Sequence, residues 1–326
     1  MQTLTNRFKI ISVDKPNQSP TKTIANILLI SLSILCAVGW LKSSYALAAG
    51  LLWAWFFAGS HALPLSSWGS FLLKTAIVLL GLSLPMTELL DTAKDSFLLT
   101  IGVIGGALII GLLLAKILKL DKEQGWLISS GTAICGGSAI AAVGSSIKAN
   151  GHNMVISLAI VFILNAVALF TYPAIGHWLE LTQQQFGLWA ALGIHDTSSV
   201  VGAAGEYGDQ ALDIATTTKL SRALWIIPVA LIASMANQSG KFRLSIPLFI
   251  IMFLFASSLG SVIGLEVAST YIKPAAKSLF ALSLLWMGSS LNQAAIRSIP
   301  IKSMLLGVIL WLLVSIVSLW LVMTFY

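Results

Sequence analysis

The strongest constraint on this chain is its run of long apolar segments separated by short polar gaps. A spanning helix needs about 20 mostly apolar residues. Eleven segments approach that requirement: 24–41, 45–60, 68–84, 97–117, 125–145, 153–172, 186–205, 215–236, 246–264, 276–292 and 304–324. No strand alternation persists, and closed barrels do not give runs this apolar. Backbone polar groups in lipid must be satisfied within each segment, so the segments read as helices. The expectation is an all-α polytopic membrane bundle of about eleven transmembrane helices. Residues 1–23 read as a polar cytoplasmic tail, and residues 24–326 as a single transmembrane domain embedded in the lipid bilayer.

Composition narrows the function. Only 10% of residues are charged, against about 25% in a soluble domain, and the mean hydropathy is +0.91. The formal charge of +7 is spread over short loops, so no nucleic-acid partner is implied. Cys36 and Cys135 lie inside apolar runs and give neither a disulfide framework nor a metal spacing. His61, His152, His177 and His195 show no ligand spacing, so no metal or other cofactor is expected. Tyr45–Ala49 faintly resembles a cleavage site, but another apolar run follows at once, and an uncleaved first span is expected. No Gly-x4-Gly-Lys-Ser/Thr run is present, which argues against built-in ATP drive.

Lys and Arg in the loops set the orientation. If all eleven segments cross and the N-terminus is cytoplasmic, 11 basic residues fall inside and 7 outside. Lys148, Lys219 and Arg222 are among the outer ones. That bias gives N-terminus in and C-terminus out. It depends on every segment crossing; one that only dips in moves every later loop to the other side.

The stretch Gly193-Ile-His-Asp-Thr-Ser-Ser-Val-Val-Gly202 holds the only adjacent His-Asp pair in the chain. Polar side chains at bilayer depth are costly and mark function more often than accident. We read residues 186–205 as a discontinuous helix, with Asp196, Thr197, Ser198 and Ser199 at a helix start. A half-helix beginning inside the membrane points free N–H groups and a positive dipole end into the break, which attracts anions. Asp196 either caps that helix or carries a coupling ion. His195, which titrates near neutral pH, joins it as an ion-coupling candidate.

Residues 131–145 are rich in small residues, and an unwound crossover is expected at Cys135-Gly-Gly-Ser138, with a tightly packed continuous helix as the alternative. A second crossover is expected at Leu285–Asn292, because Gly137-Ser-Ala-Ile140 and Gly288-Ser-Ser-Leu291 align 151 residues apart. Two halves of about five spans each would be inverted repeats. Around these breaks Thr132, Cys135, Gly136, Gly137, Ser138, Thr197, Ser198, Ser289 and Ser290, with Asn292, are the substrate-binding candidates. Arg222 is the expected anion partner, because its planar fork grips oxyanions in two places. Lys219 lies one turn before it; Lys74 reads as snorkelling to an interface, and Asn165 as a packing residue.

Leu79-Leu-Gly-Leu82, Gly131-Thr-Ala-Ile-Cys-Gly-Gly-Ser-Ala-Ile140, His195-Asp196 with Val200-Val201-Gly202, and Lys219-Leu-Ser-Arg222 with Pro228 occur in that order. The ordered set resembles the YeiH-like family of bacterial inner-membrane proteins, which carry the label sulfate exporter. The resemblance covers about residues 45–325. It implies kinship with the sodium/proton antiporter and bile-acid symporter superfamily, whose fold has inverted repeats and two crossing broken helices. It also implies roles for Gly131, Thr132, Cys135, Gly136, Ser138, His195, Asp196, Lys219 and Arg222. The chain departs from the pattern at Ser199, where an amide is common, and at Ser83, where a basic residue is.

The first functional expectation is a secondary carrier, an exporter by that label, of a small anion such as sulfate, sulfite or an organosulfonate, coupled to a proton or ion gradient such as sodium. The second is a cation/proton antiporter that uses Asp196. An intramembrane hydrolase with Ser138 and His195 is the remote third, and no enzyme activity is expected. A homodimer is compatible with the resemblance.

Overall fold

The computed structural model describes residues 20–57, 65–236, 248–264, 269–290 and 296–326. Every regular element among them is a helix. In order these are α1 (Pro20–Ala37), α2 (Ser43–Phe57), α3 (Leu65–Gly81), α4 (Met86–Asp95), α5 (Phe97–Ile117), α6 (Lys122–Ala133), α7 (Gly137–Ile147), α8 (Gly151–Trp178), α9 (Gln183–Gly193), α10 (Thr197–Tyr207), α11 (Asp209–Ala223), α12 (Ile226–Ala236), α13 (Leu248–Ile263), α14 (Ser269–Ser289) and α15 (Ile301–Phe325).

This is an all-helical membrane bundle. α5, α8, α15 and the α11–α12 pair are each long and apolar enough to cross a membrane. Large apolar side chains stand exposed around the perimeter, among them Leu98, Ile109, Val262, Ile301 and Trp320. In water that surface would be penalised; against lipid tails it is the expected solvent face. α4 turns 105° from α3 and carries Glu88, Asp91, Lys94 and Asp95. It therefore suits the membrane surface.

Two of the eleven expected spans do not cross. α6 and α7 form a hairpin whose two ends lie on one face. The Asn150 N–H donates to Glu123 at 2.9 Å, and the Asn153 amide donates to Asp121 at 2.8 Å. Between them Leu127 packs on Ile140 along the length of the hairpin. α9 and α10 form a second hairpin that opens on the opposite face. The Tyr207 hydroxyl donates to the Leu181 carbonyl at 2.6 Å, and the Gln210 N–H donates to Gln183 at 3.0 Å. Tyr207 also stacks on Phe186 with ring centres 3.8 Å apart. α8 carries the chain from the first face to the second between the hairpins.

Among the described residues nine segments connect the faces: α1, α2, α3, α5, α8, α11–α12, α13, α14 and α15. The first face holds the open end of α6–α7, where Lys122 donates to the Ala236 carbonyl at 3.1 Å and Ser303 donates to Gln124 at 2.8 Å. The second face holds the open end of α9–α10. There Lys273 pairs with Asp213 at 2.6 Å, Lys277 pairs with Asp209 at 2.8 Å, and the Tyr326 hydroxyl donates to the Asp95 carbonyl at 2.5 Å.

The second expected crossover, at Leu285–Asn292, does not appear in its described part. α14 runs unbroken through Leu285 to Ser289, while residues 291–295, including Asn292, lie outside the described residues. Gly288 serves close packing there: a Cβ on it would stand 3.0 Å from the Leu47 carbonyl oxygen. The inverted relation instead joins the two hairpins, whose breaks at Ile134–Gly136 and Ile194–Asp196 are 60 positions apart.

Candidate functional site

The two hairpin tips meet in the middle of the bundle. The first breaks at Ile134-Cys135-Gly136, where Gly136 holds φ +62°. L-residues disfavour that backbone region, so the glycine permits the turn. A Cβ on Gly136 would sit 3.5 Å from the Asp196 nitrogen, which places it against the second tip. That tip is Ile194-His195-Asp196, with Asp196 extended at φ −91° and ψ 143° as a helix cap. The Asp196 carboxylate accepts from the Ser198 N–H at 3.1 Å and from the Ser198 hydroxyl. Asn165 on α8 holds the tip from behind: its side-chain oxygen accepts the His195 N–H at 3.0 Å and the Asp196 N–H at 3.3 Å.

Each hairpin brings one helix C-terminus and one helix N-terminus to the middle. A C-terminus leaves up to four carbonyls without intrahelical donors. Lys219 and Arg222, both on α11 and both with 0% exposure, supply them. Lys219 donates to the Ala191 carbonyl at 3.2 Å and the Ile194 carbonyl at 2.7 Å. Arg222 donates to Ala191 at 2.5 Å and Leu192 at 2.7 Å, and reaches the other hairpin at Ala133, also at 2.5 Å. One guanidinium thus ties the ends of α6 and α9 together. Cations suit helix C-termini by sign as well as by hydrogen bonding.

These positions correct the side assigned to Lys219 and Arg222. Arg222 and Lys219 lie at mid-bundle rather than in an outer loop; both terminal nitrogens of Arg222 donate to backbone carbonyls, its Nε has no partner among the described residues, and it does not line the cavity beside the tips. His195 is fully buried, and neither ring nitrogen has a partner among the described residues.

That cavity has a volume of about 200 Å³. Asp196, Ser198 and Ser199 line it from α10, Asn165 from α8, and Ser290 from the end of α14. Leu47, Leu158, Phe162, Leu284 and Met287 make the apolar wall. It opens toward the first face, where Val155 and Ser290 stand. The start of α7 adjoins it, since a Cβ on Gly137 would meet Leu158 at 3.3 Å.

Of the substrate-binding candidates, Ser198 and Ser290 line the cavity, as does the ion-coupling candidate Asp196. Gly136, Gly137 and Cys135 build the opposing tip, and Thr197 is the first residue of α10. Thr132 is buried at the end of α6 with its hydroxyl unpartnered among the described residues. Ser289 donates to the Trp286 carbonyl of its own helix at 2.9 Å and does not line the cavity. Ser138 is exposed while His195 is fully buried, so the two form no nucleophile–base couple. Asn165, which reads from the sequence as a packing residue, lines the cavity. A lone asparagine in an apolar run carries no sign that its oxygen holds a tip thirty residues on and that the residue lines a cavity.

The family model described as Conserved hypothetical protein 698 matches residues 62–307. The chain belongs to this family, the YeiH-like one that its motifs indicate. A UPF0324 membrane protein of Porphyromonas gingivalis is 44% identical over 286 residues, covering 86% of each chain. One of Vibrio parahaemolyticus is 44% identical over 297 residues, covering 89% of this chain and 96% of the relative. One of Bacteroides thetaiotaomicron is 38% identical over 323 residues, covering 95% and 98%. The relatives' names describe family members as membrane proteins and give no activity. No solved structure matches the chain.

Proposed function

We propose that this protein is a secondary active transporter of a small oxyanion such as sulfate, sulfite or an organosulfonate, coupled to a proton carried by Asp196. Anion and proton cross together in this reading, so the two gradients set the direction and the exporter label does not. The observation that carries the reading is the charge at the hairpin tips. Lys219 and Arg222 are fully buried there against a single carboxylate, Asp196. The N-termini of α7 and α10 add two positive dipole ends beside the cavity. An excess of positive charge in a low-dielectric interior favours an anionic guest.

Asp196 gives the coupling. Its carboxylate is in the cavity wall, where a second negative charge is repelled. Protonation removes that repulsion, and the cavity then takes the anion and the proton together. The Ser199 hydroxyl and the Asn165 amide, whose nitrogen has no partner among the described residues, are the donors on offer, while the Ser290 hydroxyl donates to the Trp286 carbonyl at 2.7 Å. A second reading, cation-for-proton exchange on Asp196, rests on the same carboxylate facing the same cavity.

Orientation follows from the loops as the hairpins reassign them. Among the described residues the first face carries Lys116, Lys119, Lys122, Lys148, Arg297 and Lys302, with Asp121 and Glu123. The second carries Lys42, Lys94, Lys273 and Lys277 with seven acids: Glu88, Asp91, Asp95, Glu180, Glu206, Asp209 and Asp213. Lys148 moves to the richer side because α6–α7 does not cross. The bias supports a first face in the cytoplasm of a bacterial inner membrane, with the N-terminus inside and the C-terminus outside.

The test is reconstitution in vesicles holding an internal pH dye. A pulse of sulfate or sulfite is expected to change the internal pH, and Asp196→Asn is expected to abolish the change. A response to sodium or potassium alone would favour the exchange reading. A response unaltered in Asp196→Asn would leave Asp196 as a helix cap.

A further inference from the structure

The helices fall into two groups. α1, α2, α3, α13 and α14 pack on one another, and α5 to α12 with α15 pack around the hairpins. α10 meets α2 and α14 across the seam between them. Two cavities lie in that seam. The first is the one at Asp196, walled by α10 and α8 on one side and by Leu47, Leu284 and Met287 on the other. A second, of about 470 Å³, lies farther along α10 toward the second face. Val201, Gly205 and Glu206 line it from α10, and Lys42, Ser43 and Lys277 from the other group.

Only one layer separates them. A Cβ on Gly202 would stand 2.9 Å from Leu169 Cδ1, 3.1 Å from Leu284 Cδ1 and 3.2 Å from the Ser43 Cβ. Leu284 lines the first cavity, and Ser43 lines the second. Gly202 touches both, so its missing side chain is what lets α10 close on the facing helices.

The seam is also fastened unevenly. At the second face, Glu206 of α10 accepts from the Ser44 N–H at 2.9 Å and the Ser44 hydroxyl at 2.5 Å. Lys277 and Lys273 of α14 pair with Asp209 and Asp213 of α11. No ion pair crosses the seam at the first cavity among the described residues.

We propose that the two cavities are the two mouths of one route along α10, that Leu284 against Gly202 is the barrier between them, and that the Lys42–Lys277 cavity is the anion's binding vestibule on the second face. The assignment of an anion to this route rests on the transport reading above. The route itself rests on the seam. The Glu206–Ser44 and Lys–Asp contacts hold α10 and α11 against α2 and α14 beside the second cavity, which keeps Gly202 pressed on Leu284. Passage requires them to part as α10 shifts against α2 and α14.

The test uses sidedness of labelling in the full chain with Cys36→Ala and Cys135→Ala. The probe is sulfonatoethyl methanethiosulfonate, a membrane-impermeant organosulfonate. Gly205→Cys is expected to react only from the second face, because a Cβ there has room, its nearest neighbour being Lys277 Cε at 3.7 Å. Ser290→Cys is expected to react only from the first face. Adding Leu284→Ala to Gly205→Cys is expected to raise labelling from the first face about tenfold, the change that lowering a barrier by roughly 1.4 kcal/mol produces. Leu284→Val gives a smaller rise if the alanine variant does not accumulate. Labelling of both positions from one face, or no rise on truncating Leu284, overturns the proposal. None of these readouts needs a transported solute. If the anion reading fails, the unsubstituted protein shows no sulfate-driven pH change while the labelling pattern stands.

Discussion

The two hairpins share a shape and differ in what holds their tips. The first turns on a glycine at positive φ, and its α7 start has no side-chain cap. The second turns on extended residues, and Asp196 caps α10. At the C-terminal ends, α6 receives one donor group from α11, the Arg222 guanidinium, whereas α9 receives both Arg222 and Lys219. The first tip is thus a neutral backbone wedge and the second a charged one. The first tip shows that a re-entrant turn can be built without a charged residue in the turn itself.

Four substitutions sharpen that contrast, ordered by their effect on stability. Arg222→Ala leaves carbonyls of both hairpins buried without donors. A loss of about 3–5 kcal/mol is expected, the scale for removing one partner from a buried charged network, read as a large fall in thermal unfolding temperature in detergent. A loss under about 1 kcal/mol, the worth of an ordinary single hydrogen bond, would mean that the clamp is dispensable. Gly136→Ala puts a Cβ at φ +62° and 3.1 Å from Val161, and a cost of order 1–3 kcal/mol is expected. An unchanged melting curve would show that the first tip turns differently.

Asp196→Asn is expected to change stability by only a few tenths of a kcal/mol, because asparagine caps as well as aspartate, while coupling to pH is lost. Equal losses in stability and in coupling would make the residue structural. The smallest effect belongs to the open end of the first hairpin. There the Asn150 N–H and Asn153 amide hold the Glu123 carboxyl below its ordinary value of 4.5. A depressed carboxylate contributes stability above the unfolded value, and that contribution is lost as pH falls through the folded one. Protection of the Asn150 amide from hydrogen exchange is therefore expected to fall below pH 4.5 and to be weaker in Glu123→Gln at neutral pH. Equal protection in both proteins would remove Glu123 from the latch.

Much of this was legible in the residues. Extreme apolarity fixes helices, and the polar interruption at His195-Asp196 and the glycines at 136 and 137 mark the breaks. Hydropathy does not say whether the chain continues or turns back after a break. Two half-spans on one face have the same composition as one crossing span. The side assignment of Lys148 was the available hint. Gly288 suggests a break in the sequence because glycine serves two purposes in a bundle. At Gly136 it permits a backbone turn, and at Gly288 it lets α14 approach α2. The burial of Lys219 and Arg222 is not legible, because Thr216, Thr217, Thr218 and Ser221 make their surroundings polar, and their engagement with carbonyls from two hairpins depends on contacts that only the fold brings together.

The most direct test of re-entry is the distance between spin labels at Lys122→Cys and His152→Cys, measured by pulsed electron resonance in the Cys36→Ala, Cys135→Ala background. Were residues 122–147 a single crossing helix, its ends would be about 39 Å apart at 1.5 Å per residue. A hairpin places the labels about 10–20 Å apart, the spacing of neighbouring helices plus the label arms. The short distance is expected; the long one would contradict the meeting of two turned-back tips on which the site is built.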